Sequence, residues 1–244
     1  MPAPIIPVEI LSTSFVHHNR VMLPERMAKC TPDMKKAVLN TREDLKARGV
    51  DLFLSDMFRS HDEQLQAHVQ NAQIGIHSPL PGGSLHESGR AFDLDLKALL
   101  KDDILTLKDF WDIAAPHGLV PIITIPDRGA EEAWHFECRG SHSKVRQYYR
   151  EEKGGEVMKP YVAMAASSIL AAGIKVDRFQ NQKAAAIQSA LIRLDHELGA
   201  LDGSIGNKTK AALAAANVPF TDEATMLAKL EEQLRQKFPE EFQS

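Results

Sequence analysis

The spacing of apolar and polar positions predicts alternating helices and strands over the first 150 residues. Apolar positions three or four apart follow Thr31, a helix-capping residue type, and Gly49 ends this first helix. Ser60 and Glu63 form a capping box that begins a second helix. The same reasoning predicts helices over 108–118 and 143–151, and strands over 51–60, 90–96, 119–126 and 133–138.

The pattern changes near residue 155. The segment EEKGGEV, residues 151–157, has the composition of a linker, and residues 158–237 show helical periodicity with many alanines and no convincing strand. We therefore predict two domains, an α+β domain over 1–155 and an all-α helical bundle over 156–244. The last helix of the bundle is predicted over 222–237.

Composition narrows the class of protein. The 43% hydrophobic and 25% charged residues are ordinary for a soluble globular chain, and the net charge of −4 argues against a nucleic-acid partner. The longest apolar run, residues 161–174, is too short to span a bilayer. Prolines interrupt the N-terminal apolar positions before the first basic residue, Arg20, so no secretory signal is recognised. We expect a monomer.

The two cysteines, Cys30 and Cys138, are too few and too far apart for a thiolate zinc site. Either both are buried thiols or they form a disulfide, and the sequence does not decide between these states.

Two separated segments contain the residue types of a metal site. His86 and Asp93 lie in SLHESGRAFDLDL, residues 84–96, and His135 lies in the later strand AWHFEC. Two imidazoles and one carboxylate suit zinc and leave a fourth position open, which is typical of a catalytic site. Glu132, three residues before His135, is placed to act as a general base. The alternative is that each histidine is a satisfied core residue and that Asp93 caps a turn.

Other histidines are weaker candidates. His17 and His18 are the nearest competitors for a metal role, and Asp95 is expected to support the site or to be solvated rather than to bind metal. The remaining histidines show no matching carboxylate, and we interpret them as surface or structural residues: His61, His68, His77, His117 and His142.

Together these motifs resemble the zinc D-Ala-D-Ala peptidases. The pattern S-x-H-x-x-G-x-A-x-D occupies residues 84–93, and E-x-W-H occupies 132–135. The resemblance covers roughly residues 30–140. This family includes the vancomycin-resistance D,D-carboxypeptidases and D,D-dipeptidases, and it shares its fold with hedgehog and some phage endolysins. It implies a small antiparallel sheet flanked by helices, with one zinc per chain held by His86, Asp93 and His135.

The resemblance also suggests residues that act on the substrate. The family carries an R-S-x-x-E-Q stretch, matched here by Arg59 through Gln64, whose arginine faces the active site. A fixed guanidinium suits a carboxylate or the oxyanion of a tetrahedral intermediate; otherwise Arg59 is an exposed charge at a strand end. Gln64, Ser84 and Trp134 are candidate substrate-binding residues, although Ser84 serves equally well as a support for its loop.

A second resemblance covers part of the helical region. Residues 186–218 are similar to the three-helix peptidoglycan-binding domain, including the turn Leu201-Asp202-Gly203. The usual ending of that domain, an aromatic residue and a glutamine in the last helix, is absent, and the helix over 222–237 is additional. The alternative is a bundle that only packs on the catalytic domain.

These resemblances imply a zinc metallopeptidase that acts on the stem peptides of bacterial peptidoglycan. The glutamate and tryptophan before His135, Glu132 and Trp134, are the residue types of the carboxypeptidase branch of this family, which favours cleavage of D-Ala-D-Ala. The alternatives are an L-alanyl-D-glutamate endopeptidase of the phage endolysin type and, from another class, a non-catalytic zinc-containing wall-binding protein. Without a recognised signal peptide, we expect synthesis in the cytoplasm followed by release, or a mature periplasmic form.

Overall fold

The computed structural model describes residues 2–9, 16–17, 20–21 and 23–243. The predicted α+β class is confirmed, with a small antiparallel sheet and helices on both of its faces. The strands are β1 Ile6–Pro7, β2 Val16–His17, β3 Arg20–Val21, β4 Lys29–Cys30, β5 Leu54–Asp56, β6 Ala91–Leu94, β7 Leu119–Pro121 and β8 His135–Cys138. The helices are α1 Pro32–Lys46, α2 His61–Gln73, α3 Leu96–Leu99, α4 Leu107–Ala114, α5 Ser143–Arg150, α6 Pro160–Ala171, α7 Gln182–Arg193, α8 Asn207–Ala215 and α9 Glu223–Lys237.

The central sheet has the strand order β5-β6-β8-β7, and every neighbouring pair is antiparallel. Its register places Asp93 of β6 directly opposite His135 of β8. Side chains of directly opposed residues lie on the same face of a sheet, with Cβ atoms about 5 Å apart. The pairing therefore brings together two residues that are far apart in the sequence.

Strand alternation separates the polar face of the sheet from an apolar core. Phe92 and Phe136 stack with ring centroids 5.7 Å apart, and Phe110 of α4 meets Phe136 edge-on at 4.9 Å. Because successive side chains of a strand point to opposite faces, Asp93 and His135 lie on the other side. The apolar core and the polar side chains therefore occupy opposite faces of β6 and β8.

The helices α6–α9 confirm the predicted helical character of residues 158–237, and they build a second core. Helix α5, which precedes the predicted linker, packs in this second core through Val145, Tyr148 and Tyr149. Helix α6 also packs on the polar side of the sheet, where Met164 contacts Leu85 and Ala91. This small cluster joins α6 to the sheet between the two cores, and the domain boundary at residue 155 stays a prediction.

Several predicted elements are shorter in the structure. The strand expected over 119–126 ends at Pro121 on β7, an edge strand of the sheet, which is where proline is tolerated in strands. The strand expected over 90–96 ends at Leu94 because Asp95 caps α3, accepting a hydrogen bond from the Ala98 N–H at 3.0 Å. Over 51–60, only Leu54–Asp56 is a strand.

Both cysteines are buried free thiols, which decides between the two states left open by the sequence. Among the described helices, none combines the length and the apolar character that a membrane span requires.

Candidate metal centre

His86 lies on a short 3-10 turn, Leu85–Ser88, that the local sequence defines closely. Ser84 caps this turn in a capping box with Glu87, and the Glu87 carboxylate also accepts the Gly82 N–H. Gly89 ends the turn with a φ of +65°, and a Cβ at this position would lie 2.7 Å from the Cα of Cys30. Only glycine fits both the left-handed conformation and the close approach, which explains the glycine in the motif.

Three ligand atoms converge beneath the turn. Nε2 of His86 lies 3.2 Å from Nδ1 of His135 and 3.3 Å from Oδ1 of Asp93, and the last two atoms are 3.0 Å apart. Two ligands of one tetrahedral zinc, each at its normal bond length, are about 3.3 Å apart. The triangle therefore has the size of one face of a zinc tetrahedron, and all three residues are buried.

The surroundings of the two imidazoles orient their lone pairs towards one another. Nδ1 of His86 donates to the carbonyl oxygen of Met57 at 2.6 Å, which leaves Nε2 as an acceptor. Nε2 of His135 lies 3.4 Å from Oε1 of Glu137, and both atoms are buried with no hydrogen-bond partner in the described chain. A proton on Nε2 of His135 faces the nearby Glu137 carboxylate and leaves the Nδ1 lone pair facing the site.

Three acceptors at this separation repel one another unless a cation lies between them. A proton is one such cation: burial opposes it, but the Asp93 and Glu137 carboxylates raise the pKa of His135 to about 10. A metal ion is the other, and it satisfies all three acceptors at once, whereas a proton bridges only two. The donor set of two imidazoles and one carboxylate therefore fits a zinc ion.

Arg59 holds the second oxygen of Asp93. Its Nη2 donates to Oδ2 of Asp93 at 3.1 Å, Nε donates to Asp56 at 2.7 Å, and Nη1 donates to Oε1 of Gln64 at 3.2 Å. Although burial alone would raise the pKa of Asp93, the neighbouring His86 and His135 keep it well below its ordinary value. Asp93 is therefore an ionised, oriented carboxylate.

The predicted substrate-binding residues have different surroundings. Gln64 is fully buried away from the cleft and donates to the Pro79 carbonyl at 2.7 Å while it accepts from Arg59, so its observed role is to hold Arg59. Ser84 lines the cleft, and its hydroxyl accepts the His86 N–H at 3.4 Å. Trp134 is half-buried and also lines the cleft. Substrate contact by these residues stays a prediction.

Glu132 lies beside the ligand atoms in a strained conformation. Its φ is +65°, in the left-handed region that costs a residue with a side chain about 1–2 kcal/mol. Its Oε2 lies 4.0 Å from Nδ1 of His135, and the side chain is 28% exposed. Burial raises the pKa of Glu132, and Asp93 adds to this rise while His135 opposes it. Strain of this kind is concentrated at functional sites in proteins.

A cleft of about 460 Å³ opens above these groups. The candidate metal ligands His86, Asp93 and His135, here called the metal triad, line one side. Arg59, Glu132 and Trp134 line the same side. The other side includes residues that sequence reasoning missed, at the beginning of α6: Lys159, Tyr161 and Val162. No local signal points to them, because their approach to the cleft depends on how α6 packs. The sequence did contain a signal for Glu137, because a residue two positions after His135 in a strand lies on the same face of β8.

The other candidate ligands have partners elsewhere in the described chain. Asp95 caps α3, His117 meets Asp44 at 2.7 Å, and Nδ1 of His142 lies 2.8 Å from the Ser167 hydroxyl. His18 and the side chain of His17 lie outside the described residues. Of the groups that the structure describes, His86, Asp93 and His135 have the separation that a single metal ion requires.

A comparison with protein-family models gives no match for this chain, and a comparison with curated proteins gives none either. The chemistry of the site is therefore the basis on which a function can be proposed for this chain.

Proposed function

We propose that this chain is a zinc peptidase of the hedgehog/DD-peptidase type that cleaves D-Ala-D-Ala in the stem peptides of bacterial peptidoglycan. The observation that carries the proposal is the Glu132 carboxylate, held 4.0 Å from one of three converging metal-ligand atoms in an open cleft. A purely structural metal site needs no such carboxylate, and this favours an enzyme over a non-catalytic wall-binding protein.

His86, Asp93 and His135 are the residues that would hold the zinc ion. Zinc in such a site supplies a Lewis acid, which polarises a carbonyl group and makes water acidic near neutral pH. The Met57 carbonyl holds the imidazole of His86 by a hydrogen bond, and the Glu137 carboxylate lies 3.4 Å behind the imidazole of His135, where it favours the orientation that binds metal.

The side chains of the cleft carry the remaining roles. Glu132 accepts a proton from the attacking water and delivers it to the leaving amine, and a pKa raised by burial suits both halves of this cycle. Arg59 orients Asp93, and of the five N–H groups of its guanidinium it has donors left for the developing oxyanion. Trp134 and Val162 offer apolar walls for the alanine methyl groups.

We propose further that the helical region binds peptidoglycan and that the protein acts at the cell wall. The turn that resembles the wall-binding domain is well fixed, because the amide oxygen of Gln188 accepts the N–H groups of Asp202 and Gly203 at 3.1 and 2.8 Å. Sedimentation of the full chain with purified sacculi tests this role. Recovery of the protein in the supernatant at every salt concentration would leave only a packing role.

Mass spectrometry of a digested stem pentapeptide, with and without a chelator, tests the activity. Loss of one alanine, abolished by the chelator and by Glu132→Gln, is the expected result. Release of the disaccharide with a single L-alanine attached, from intact peptidoglycan, would replace the proposal by an L-alanyl-D-glutamate endopeptidase. Sedimentation with sacculi without any cleavage would favour the non-catalytic protein.

A further inference from the structure

Lys159 places a positive charge on the helical side of the cleft. It is exposed, it immediately precedes α6, and it lines the same cleft as the metal triad. Within the part of the chain that the structure describes, no carboxylate pairs with its ammonium group. An unpaired lysine in a cleft is available to an anionic ligand.

The other strong cation of the cleft is already neutralised. Arg59 lies between two carboxylates, donating to Asp56 at 2.7 Å and to Asp93 at 3.1 Å. With two carboxylate partners of its own, Arg59 keeps an N–H donor for the oxyanion but has little net charge left to hold a permanently ionised substrate carboxylate. Of the arginine and lysine side chains described around this cleft, Lys159 is therefore the one suited to hold an anion.

The beginning of α6 adds to this positive character. Tyr161 and Val162 occupy the first turn of the helix and line the cleft, and no side chain caps this end. The N–H groups of a first helical turn have no partner within the helix, and they carry the positive end of the helix dipole. The ammonium group of Lys159 and the N-terminal end of α6 therefore both favour an anion in the cleft.

We propose that Lys159 binds the free α-carboxylate of the substrate residue that supplies the leaving amine, which makes the helical region part of the peptidase site. This inference rests on the proposed function. In D-Ala-D-Ala the carboxylate belongs to the terminal D-alanine. In an L-Ala-D-Glu stem it belongs to D-glutamate, because the chain continues from the γ-carboxyl group. Both bonds therefore place a carboxylate on the carbon next to the leaving nitrogen.

The test compares free-acid substrates with their amides. The probes are N-acetyl-L-Lys-D-Ala-D-Ala and its C-terminal amide, and N-acetyl-L-Ala-D-Glu and its α-amide. The zinc-loaded full chain is compared with Lys159→Gln, with Lys159→Arg, and with Lys183→Gln, which changes an exposed lysine on α7 outside the cleft. Steady-state kinetics give KM and kcat, and calorimetry in a Glu132→Gln background gives binding without turnover.

For the free acid of whichever pair is cleaved, Lys159→Gln should raise KM and the calorimetric Kd by roughly tenfold, the usual effect of losing a hydrogen bond to a charged group. The amide should bind both proteins equally, kcat should change little, Lys159→Arg should retain the preference, and Lys183→Gln should match the wild type. The same acid-to-amide ratio in Lys159→Gln and wild type overturns the inference while the peptidase proposal stands. Failure of the wild type to bind or cleave any of the four peptides overturns both.

Discussion

Glu241 contacts Arg90, which precedes the strand of the candidate metal ligand Asp93, and replacing Glu241 by glutamine should destabilise the protein strongly. Its carboxylate is fully buried and accepts a hydrogen bond from Arg193. It also accepts the Ser141 N–H at 2.6 Å and lies 3.6 Å from Nη2 of Arg90. Arg90 directly precedes β6, the strand that contains Asp93.

The expected loss in the free energy of unfolding depends on which hydrogen-bond partners Arg90 and Arg193 keep when Glu241 is changed. Arg90 keeps Asp33, to which it donates at 2.9 and 3.2 Å, so it stays paired. Arg193, with only 3% of its side chain exposed, keeps the Ser141 hydroxyl at 2.7 Å but loses its carboxylate. Removing one partner of a buried ion pair costs about 3–5 kcal/mol. Because glutamine retains an acceptor oxygen, we expect about 3 kcal/mol.

Urea denaturation of the full chain at pH 7 measures this loss. The matched control is Asp195→Asn, which removes an exposed carboxylate that Lys144 and Lys237 contact at 2.6 and 2.7 Å. Asp195 has a φ of +71°, a conformation that asparagine tolerates, so the control changes charge without adding strain. Exposed pairs contribute about 0–1 kcal/mol, and the control should stay within that range.

A loss in Glu241→Gln no larger than the loss in Asp195→Asn would refute the reasoning, because the cluster would then behave as a surface ion pair. A double variant, Glu241→Gln with Arg193→Met, gives a second check. Removing the unpaired cation should restore part of the lost stability, since an apolar side chain replaces a buried charge.

Zinc at a hundredfold excess over its Kd should raise the free energy of unfolding of the wild type by about 2.7 kcal/mol, and His135→Ala should abolish this shift in a urea assay. Glu132→Gln should keep its zinc but lose about 10²–10⁴-fold of turnover; loss of zinc by elemental analysis would make Glu132 a ligand instead. Burial, with the charges of Arg193 and Arg90, holds the pKa of His142 well below its ordinary value. Its contribution to stability is therefore complete above about pH 6.5 and falls by about 1.4 kcal/mol per pH unit below it. Urea unfolding between pH 6.5 and 5 should show this slope in the wild type and a shallower one in His142→Asn.

Local chemistry explains which parts of the site could be predicted from the sequence. The capping box of Ser60 and Glu63 is present in the structure because both partners lie within one turn. The alternation that puts Phe92 in the core and Asp93 on the polar face needs only the geometry of a strand. The convergence of Asp93 and His135 depends on the pairing of β6 with β8, which are not consecutive strands, so it was inferred from the resemblance of the two motifs and not from local geometry.

Features that depend on distant contacts could not be predicted. The strand β1 pairs with β4, but its two residues, Ile6 and Pro7, give no periodic signal. The segment 151–157 has the composition of a flexible linker, yet Gly154 is required for space, since a Cβ there would lie 2.5 Å from the ring of Tyr149. A glycine that allows close packing and a glycine that allows flexibility are indistinguishable in a single sequence.

The polar face of the sheet explains why the helical region is needed close to the site. Asp93 and His135 project from a face that would be solvated if nothing covered it, and solvent weakens the electrostatic interactions between such groups. Helix α6 covers this face, with the Ser88 and Ser168 hydroxyls 2.8 Å apart, and it leaves the cleft open at its first turn. The helical region, of which residues 186–218 resemble a wall-binding domain, thus begins with a helix that both shields the candidate metal ligands and lines the cleft. A wall anchor built in this way would hold peptidoglycan near the bond to be cut, whereas an anchor on a flexible linker would only raise its local concentration.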